Sequence, residues 1–162
     1  MRIGIGCDAH RFISGRKLIL GGVEIPFKFG LKGHSDADAI SHAVIDALFG
    51  AIAAGDIGSH FPDSDPKYKD ISSLKLLAAA ADELAAGGFK IANIDVTVTL
   101  EEPKLAQWRD AIRGRLAETL GVDIGQVGVK ATTTEGLGFT GRGEGIEAQA
   151  VVLVEERVTG DG

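Results

Sequence analysis

Arg2-Ile3-Gly4-Ile5-Gly6-Cys7-Asp8-Ala9-His10 carries the first decision about the fold. Its side chains alternate, with Ile3, Ile5 and Cys7 on one side, the period of a strand buried on one face. The spacing predicts a half-buried strand over residues 2–10, with Ile3, Ile5 and Cys7 as its apolar side. It also sets Asp8 and His10 on one common face, about 6.6–7 Å apart along the strand, so both can lean towards one ion.

Outward from that strand, Gly21-Gly22 between apolar runs predicts a small hairpin over residues 17–25. Residues 36–54 read as a helix with Ile40, Val44, Ala47, Leu48 and Ala51 as its apolar stripe. Ser35 followed by Asp38 has the form of a capping box at its start. Gly55 ends the helix, and residues 55–70 form a long loop of the kind that often serves function. A second helix covers 72–86 and stops at Gly87-Gly88. Ile94, Val96, Val98 and Leu100 alternate with Asp95, Thr97 and Thr99, predicting a strand over 89–100. Pro103 suits the first turn of a third helix, 103–120, ended by Gly121. Two further strands, 127–133 and 146–155, flank a glycine-rich connection. This order predicts a single α+β domain over residues 1–162. A mixed four-stranded sheet carries helices on one face, with the small hairpin beside it.

Composition narrows the function classes. With 162 residues, the chain is long enough for one domain with a sizeable core. A net charge of −6 argues against a nucleic-acid surface, which needs a basic patch. One cysteine cannot form an internal disulfide, which suits a reducing cytoplasm. No stretch approaches the roughly 18 apolar residues of a membrane span. The strand pattern that begins at Arg2 leaves no room for a signal peptide.

Asp8 and His10 gain a third partner in His42, which lies within His34-Ser35-Asp36-Ala37-Asp38-Ala39-Ile40-Ser41-His42. One carboxylate and two imidazoles leave a divalent metal an open position, the mark of a catalytic zinc site; structural zinc is closed by four protein ligands. Asp38 and Asp46 lie four residues either side of His42, so either could accept its other ring N–H and set its tautomer. Taken singly, each residue is an ordinary surface group; D-x-H with H-S-D-x-D-x-x-x-H points jointly to metal. His34 and Ser35 sit at the expected helix start, where free N–H groups favour an anion.

Two further stretches carry weaker signals. Gly55-Asp56-Ile57-Gly58 and Phe61-Pro62-Asp63-Ser64-Asp65 offer acceptors for a polyol, although composition alone favours a solvated turn. Lys130 to Glu135 ends a strand with three threonines, and Glu135 could hold a hard Mg²⁺ or simply be a charged strand end. The glycines from 136 to 145 lead into a strand, not a helix, so a dinucleotide-binding reading fails. Arg142 among them could pair with a diphosphate or lie exposed.

Together these motifs resemble the 2-C-methyl-D-erythritol 2,4-cyclodiphosphate synthase family over essentially the whole chain. The marks are D-A-H at 8–10, H-S-D-A-D at 34–38, His42, G-D-I-G at 55–58, F-P-D-S-D at 61–65 and K-A-T-T-T-E-G-L-G-F-T-G-R-G-E-G at 130–145. The resemblance implies release of CMP from 4-diphosphocytidyl-2-C-methyl-D-erythritol 2-phosphate as a cyclic diphosphate closes. It implies zinc on Asp8, His10 and His42, and Mg²⁺ or Mn²⁺ on Glu135 with the substrate diphosphate. His34 and Thr133 would stabilise the transition state. Ser35, Asp56, Ile57, Gly58, Phe61, Asp63 and Asp65 would surround the methylerythritol phosphate. Leu100, Pro103, Lys104, Ala106, Ala131, Thr132 and Thr134, with Thr133, would form the cytidine side. A homotrimer is implied, with active sites between subunits and a central channel near Phe139, Arg142 and Glu144 for an isoprenoid diphosphate. The rival readings are a binding module for isoprenoid diphosphates and a metal-dependent phosphoester hydrolase. An open metal site beside a substrate loop disfavours pure capture.

Overall fold

The computed structural model describes residues 1–157; residues 158–162 of the expected single domain lie outside the described residues. In chain order the elements are β1 (Arg2–Ile13), β2 (Leu18–Leu20), β3 (Val23–Ile25), β4 (Gly30–Leu31), α1 (Ala39–Ala51), α2 (Ile57–His60), α3 (Ser73–Ala86), β5 (Phe89–Thr99), α4 (Arg109–Leu120), β6 (Val127–Thr132), α5 (Gly138–Gly141) and β7 (Gly145–Glu156). Five strands form one mixed sheet in the order β4-β1-β7-β5-β6, and β2 pairs with β3 as a separate hairpin. Only β5 and β6 run parallel, joined by α4 as a parallel connection requires. The sheet has one strand more than the four expected. The addition is the two-residue β4, which pairs Gly30 and Leu31 with Ile13 and Phe12 and is too short to leave a periodic signal.

The helices cover one face, as expected. Ile94, Val96 and Val98 of β5 and Ile146, Ala148, Ala150, Val152 and Val154 of β7 point into the core. On β1 the apolar side is reversed. Ile3 and Ile5 are 70% and 66% exposed, and Cys7 is exposed with them. Gly4 and Gly6 face the helices instead. A Cβ on Gly6 would lie 2.0 Å from the Ala43 carbonyl oxygen, and one on Gly4 1.9 Å from that of Ala47. Bare backbone is therefore what lets α1 lie directly on β1, a close approach that only glycine permits. A hydrophobic alternation count misses this, because glycine contributes no apolar side chain to the buried side.

Helix α1 is buried on nearly every side, including Ala43, Ile45 and Phe49 outside the expected stripe. It lies between the sheet and α3. Its N-cap is Asp38, not Ser35: the Asp38 carboxylate accepts from the Ser41 N–H, so the helix begins three residues later than the capping-box reading puts it. The third helix likewise begins late, at Arg109. Pro103 lies before it in irregular backbone, after a cis peptide bond, and that segment lines a cavity instead of a helical turn. Gly121, in the left-handed region at φ 66°, ends α4 as expected. Among the described residues no helix is long and apolar enough to cross a membrane.

Candidate active site

Strand β1 and helix α1 supply the site. With α1 seated on Gly4 and Gly6, the same face of β1 turns Asp8 and His10 towards His42 near the start of the helix. Asp8 Oδ2 lies 2.8 Å from His10 Nε2 and 3.1 Å from His42 Nδ1. The two ring nitrogens are 3.3 Å apart. Donors around a tetrahedral zinc at about 2.0–2.1 Å sit roughly 3.3 Å from one another, so this triangle needs little adjustment to close on a divalent ion. Asp8, His10 and His42 form the one potential metal-ligand cluster among the described residues.

The second nitrogens are committed elsewhere. His10 Nδ1 donates to the Lys32 carbonyl at 2.7 Å, which leaves Nε2 as the nitrogen that faces Asp8 and His42. Burial would lower the His10 pKa, but the hydrogen bond and charge of Asp8, helped by the Lys32 carbonyl, raise it above its ordinary value. Burial would raise Asp8; hydrogen bonds from both imidazoles, and their charge, hold it below.

Neither carboxylate expected to set the His42 tautomer does so. Asp38 is fully buried and spends its oxygens on the Gly21 and Gly22 amides and on Ser41. It ties the β2–β3 hairpin to the start of α1. Burial, then the charge of Asp36, raises its pKa. Asp46 accepts from the Ile57 N–H at 2.7 Å and so fastens the 55–65 loop to α1. The partners of His42 Nε2 are two hydroxyls, Ser73 Oγ at 2.9 Å and Ser35 Oγ at 3.1 Å. Ser73 went unseen because it belongs to α3, and no spacing rule links it to His42.

A cavity of about 340 Å³ opens beside the triad, lined by Asp8, His10, His34, Ser35, His42, Ile57, Gly58, Phe61 and Asp63 among others. His34 Nε2 is buried there without a hydrogen-bond partner, an orphan that a bound polar ligand would satisfy. Asp56 and Asp65 lie outside this lining. Asp56 caps α2 by accepting from Ser59, and Asp65 accepts from the Lys67 N–H. Missed by sequence, His60 holds the same loop. It stacks on Phe49 at 3.9 Å between centroids, with Nε2 on the Ala54 carbonyl and Nδ1 beside Glu83.

A second cavity, about 480 Å³, is lined by Leu100, Pro103, Lys104, Ala106, Ala131, Thr132 and Thr133 with four neighbours. It shares no lining residue with the triad cavity. Thr133 Oγ1 donates to Glu135 Oε1 at 3.2 Å, so that carboxylate stands just past the second cavity. The turn is braced by Glu101, whose Oε1 accepts from the Thr134 and Gly136 amides. The Thr134 hydroxyl is turned inward, donating to the Leu137 carbonyl. Phe139 and Glu144 line a smaller cavity with Ala9, His10 and Arg11, and Arg142 Nε pairs with Glu144 at 2.8 Å.

Fold and site together define an α+β sandwich whose aspartate–histidine–histidine metal-ligand cluster opens onto a ligand-sized cavity. Residues 1–155 match the YgbB family. The chain is 57% identical over 162 residues to 2-C-methyl-D-erythritol 2,4-cyclodiphosphate synthase of Moorella thermoacetica, covering 100% of this chain and 99% of that one. It superposes on a CDP-bound structure of 2C-methyl-D-erythritol-2,4-cyclodiphosphate synthase with TM-score 0.88 and 38% identity, over 95% of this chain and 100% of that one. IspF of Plasmodium falciparum in complex with CDP gives TM-score 0.86 at 32% identity, covering 97% of each chain. The chain belongs to the YgbB family.

Proposed function

We propose that the chain converts 4-diphosphocytidyl-2-C-methyl-D-erythritol 2-phosphate into 2-C-methyl-D-erythritol 2,4-cyclodiphosphate and CMP, as a phosphorus–oxygen lyase of isoprenoid biosynthesis. The observation that carries this is the convergence of Asp8, His10 and His42 in the wall of the triad cavity, in a chain so similar to synthases of that name. An oxygen of the 2-phosphate forms a bond to the β-phosphorus, the β-phosphorus–oxygen bond to the α-phosphate breaks, and CMP leaves. The attacking phosphate is already an anion at neutral pH, so the protein needs to position and neutralise more than to deprotonate.

Asp8, His10 and His42 would hold zinc, and Glu135 an oxygen-preferring Mg²⁺ or Mn²⁺. When bound, these ions supply Lewis-acid polarisation and charge neutralisation at the diphosphate. His34, with its unpartnered buried nitrogen, and the Thr133 hydroxyl donate to oxygens that gain charge in the transition state. Ser35, Ile57, Gly58, Phe61 and Asp63 shape the methylerythritol side, with Asp56 and Asp65 holding the loop. Lys104 and the 131–133 segment take the cytidine diphosphate.

A homotrimer with active sites between subunits would join cavities that share no lining residue in one chain. The exposed Ile3, Ile5 and Val151 supply an apolar face for that contact. The cavity by Phe139 and Glu144, with Arg142, would take an isoprenoid diphosphate, and a cytoplasmic location suits the lone thiol. The test is phosphorus NMR of the protein with the cytidylated substrate. Cyclic diphosphate with CMP is expected; inorganic phosphate as product, or unchanged substrate, refutes the synthase reading.

A further inference from the structure

Behind His42 the donors and acceptors can be assigned one by one. Ser73, the first residue of α3, is fully buried. Its hydroxyl donates to Asp36 Oδ1, and its N–H donates to Asp36 Oδ2 at 3.0 Å. The Asp38 N–H also points at Asp36 Oδ1, at 3.2 Å. All three hydrogen bonds to the Asp36 carboxylate come from donors, as a carboxylate requires.

A hydroxyl has one proton, and that of Ser73 is spent on Asp36. Towards His42 Nε2, 2.9 Å away, Ser73 Oγ can only accept. The nearby Ser35 Oγ already accepts from the Ala37 N–H and lies 3.1 Å from the same nitrogen. Once Nδ1 gives its lone pair to a metal, Nε2 carries the ring proton, and Ser73 Oγ stands ready to accept it.

We propose that Asp36 and Ser73 are positioning residues for the metal centre: a carboxylate–hydroxyl relay that fixes the tautomer and ring orientation of His42. It is the counterpart of the Lys32 carbonyl behind His10, built with a side chain from a different helix. Partners of this kind raise a ligand's basicity and typically hold 10- to 100-fold of metal affinity. The relay also joins the N-terminus of α3 to the ligand-bearing α1, so the site is braced from both helices. This inference rests on the metal reading of Asp8, His10 and His42.

The test uses the full chain loaded with zinc, with affinity read by chelator competition and folding by circular dichroism. Ser73→Ala is expected to weaken zinc about 10- to 100-fold while remaining folded, and Asp36→Asn to weaken it by a smaller factor. Folded Ser73→Ala with affinity within about twofold of the parent overturns the relay. Long-range proton–nitrogen NMR of histidine-labelled parent protein reads the tautomer without any substitution, so a variant that fails to fold leaves the question decidable. In zinc-loaded parent a slowly exchanging His42 Nε2 proton held by Ser73 is expected, and a freely exchanging one overturns the relay. Failure of the parent to bind zinc refutes the metal reading, and the relay with it.

Discussion

Asp8 Oδ2 and His42 Nδ1 lie 3.1 Å apart although 34 residues separate them in the chain. Two glycines make that meeting possible. Gly4 and Gly6 let α1 settle until the Ala43 and Ala47 carbonyls touch bare β1 backbone, which brings His42 level with Asp8 and His10. Packing and chemistry are thus coupled at one contact.

Gly6→Ala therefore tests both links. The added Cβ meets backbone atoms, Ala43 O at 2.0 Å and Ala47 N at 2.7 Å, which cannot swing aside. Overpacking costs about 1–3 kcal/mol, and rigid neighbours place this change at the upper end. Denaturant unfolding should show that loss together with reduced zinc content. Unchanged stability would mean that α1 does not need the close approach.

Asp8→Ala removes the oxygen shared by both imidazoles. Zinc should be lost from purified protein, and turnover should fall at least about 100-fold, the scale of losing one main electrostatic stabiliser. Elemental analysis beside a CMP-release assay checks it. Full activity in zinc-free protein would sink the mechanism.

The pH dependence follows from the opposed shifts in the triad. The pKa of His10 is raised above 6.5, so protons compete with metal at that ring. Zinc affinity should climb by up to about tenfold per pH unit below the raised His10 value and level off above it. Asp8, lowered below 3.8, is ionised throughout that range and adds no slope. For the zinc-free fold the signs differ. The raised His10 contributes stability that is present below its unfolded value and lost as pH rises through its folded value. The lowered Asp8 contribution is present above its unfolded value and lost on acidification through its folded value. The thermal stability of zinc-free protein should thus fall as pH rises through the raised His10 value while zinc binding strengthens; parallel trends would contradict the assignment.

Asp38→Ala strips acceptors from the Gly21 and Gly22 amides and from the Ser41 N–H and hydroxyl. A buried donor left without a partner costs about 1–3 kcal/mol, and a lost N-cap about 1 kcal/mol. A total near 3 kcal/mol is expected from chemical denaturation, with Asp38→Asn losing less. A loss below about 1 kcal/mol would show that water replaces the carboxylate.

Much of this was legible in residue order. The alternation of Ile94, Val96 and Val98 marked β5, Gly121 marked the end of α4, and Gly87-Gly88 the end of α3, because local backbone chemistry sets those boundaries. The Asp8–His10–His42 triad was legible too, since two ligands share one strand face and the third falls in a motif dense with chemistry. The buried side of β1 was not, because glycines pack through what they lack. Pro103 misled for a related reason: it suits a helix start, yet tertiary context places it in a cavity wall.

Residue types and their spacing determined the α+β class and the shared face of Asp8 and His10, both written in short-range periodicity, and marked His42 by the motif around it. Only the folded chain could decide that Asp38 serves the hairpin, that Asp46 serves the 55–65 loop, and that Ser73 stands behind His42. Hydrogen-bond partners are chosen by distance in space, and α3 reaches His42 only after it packs against α1.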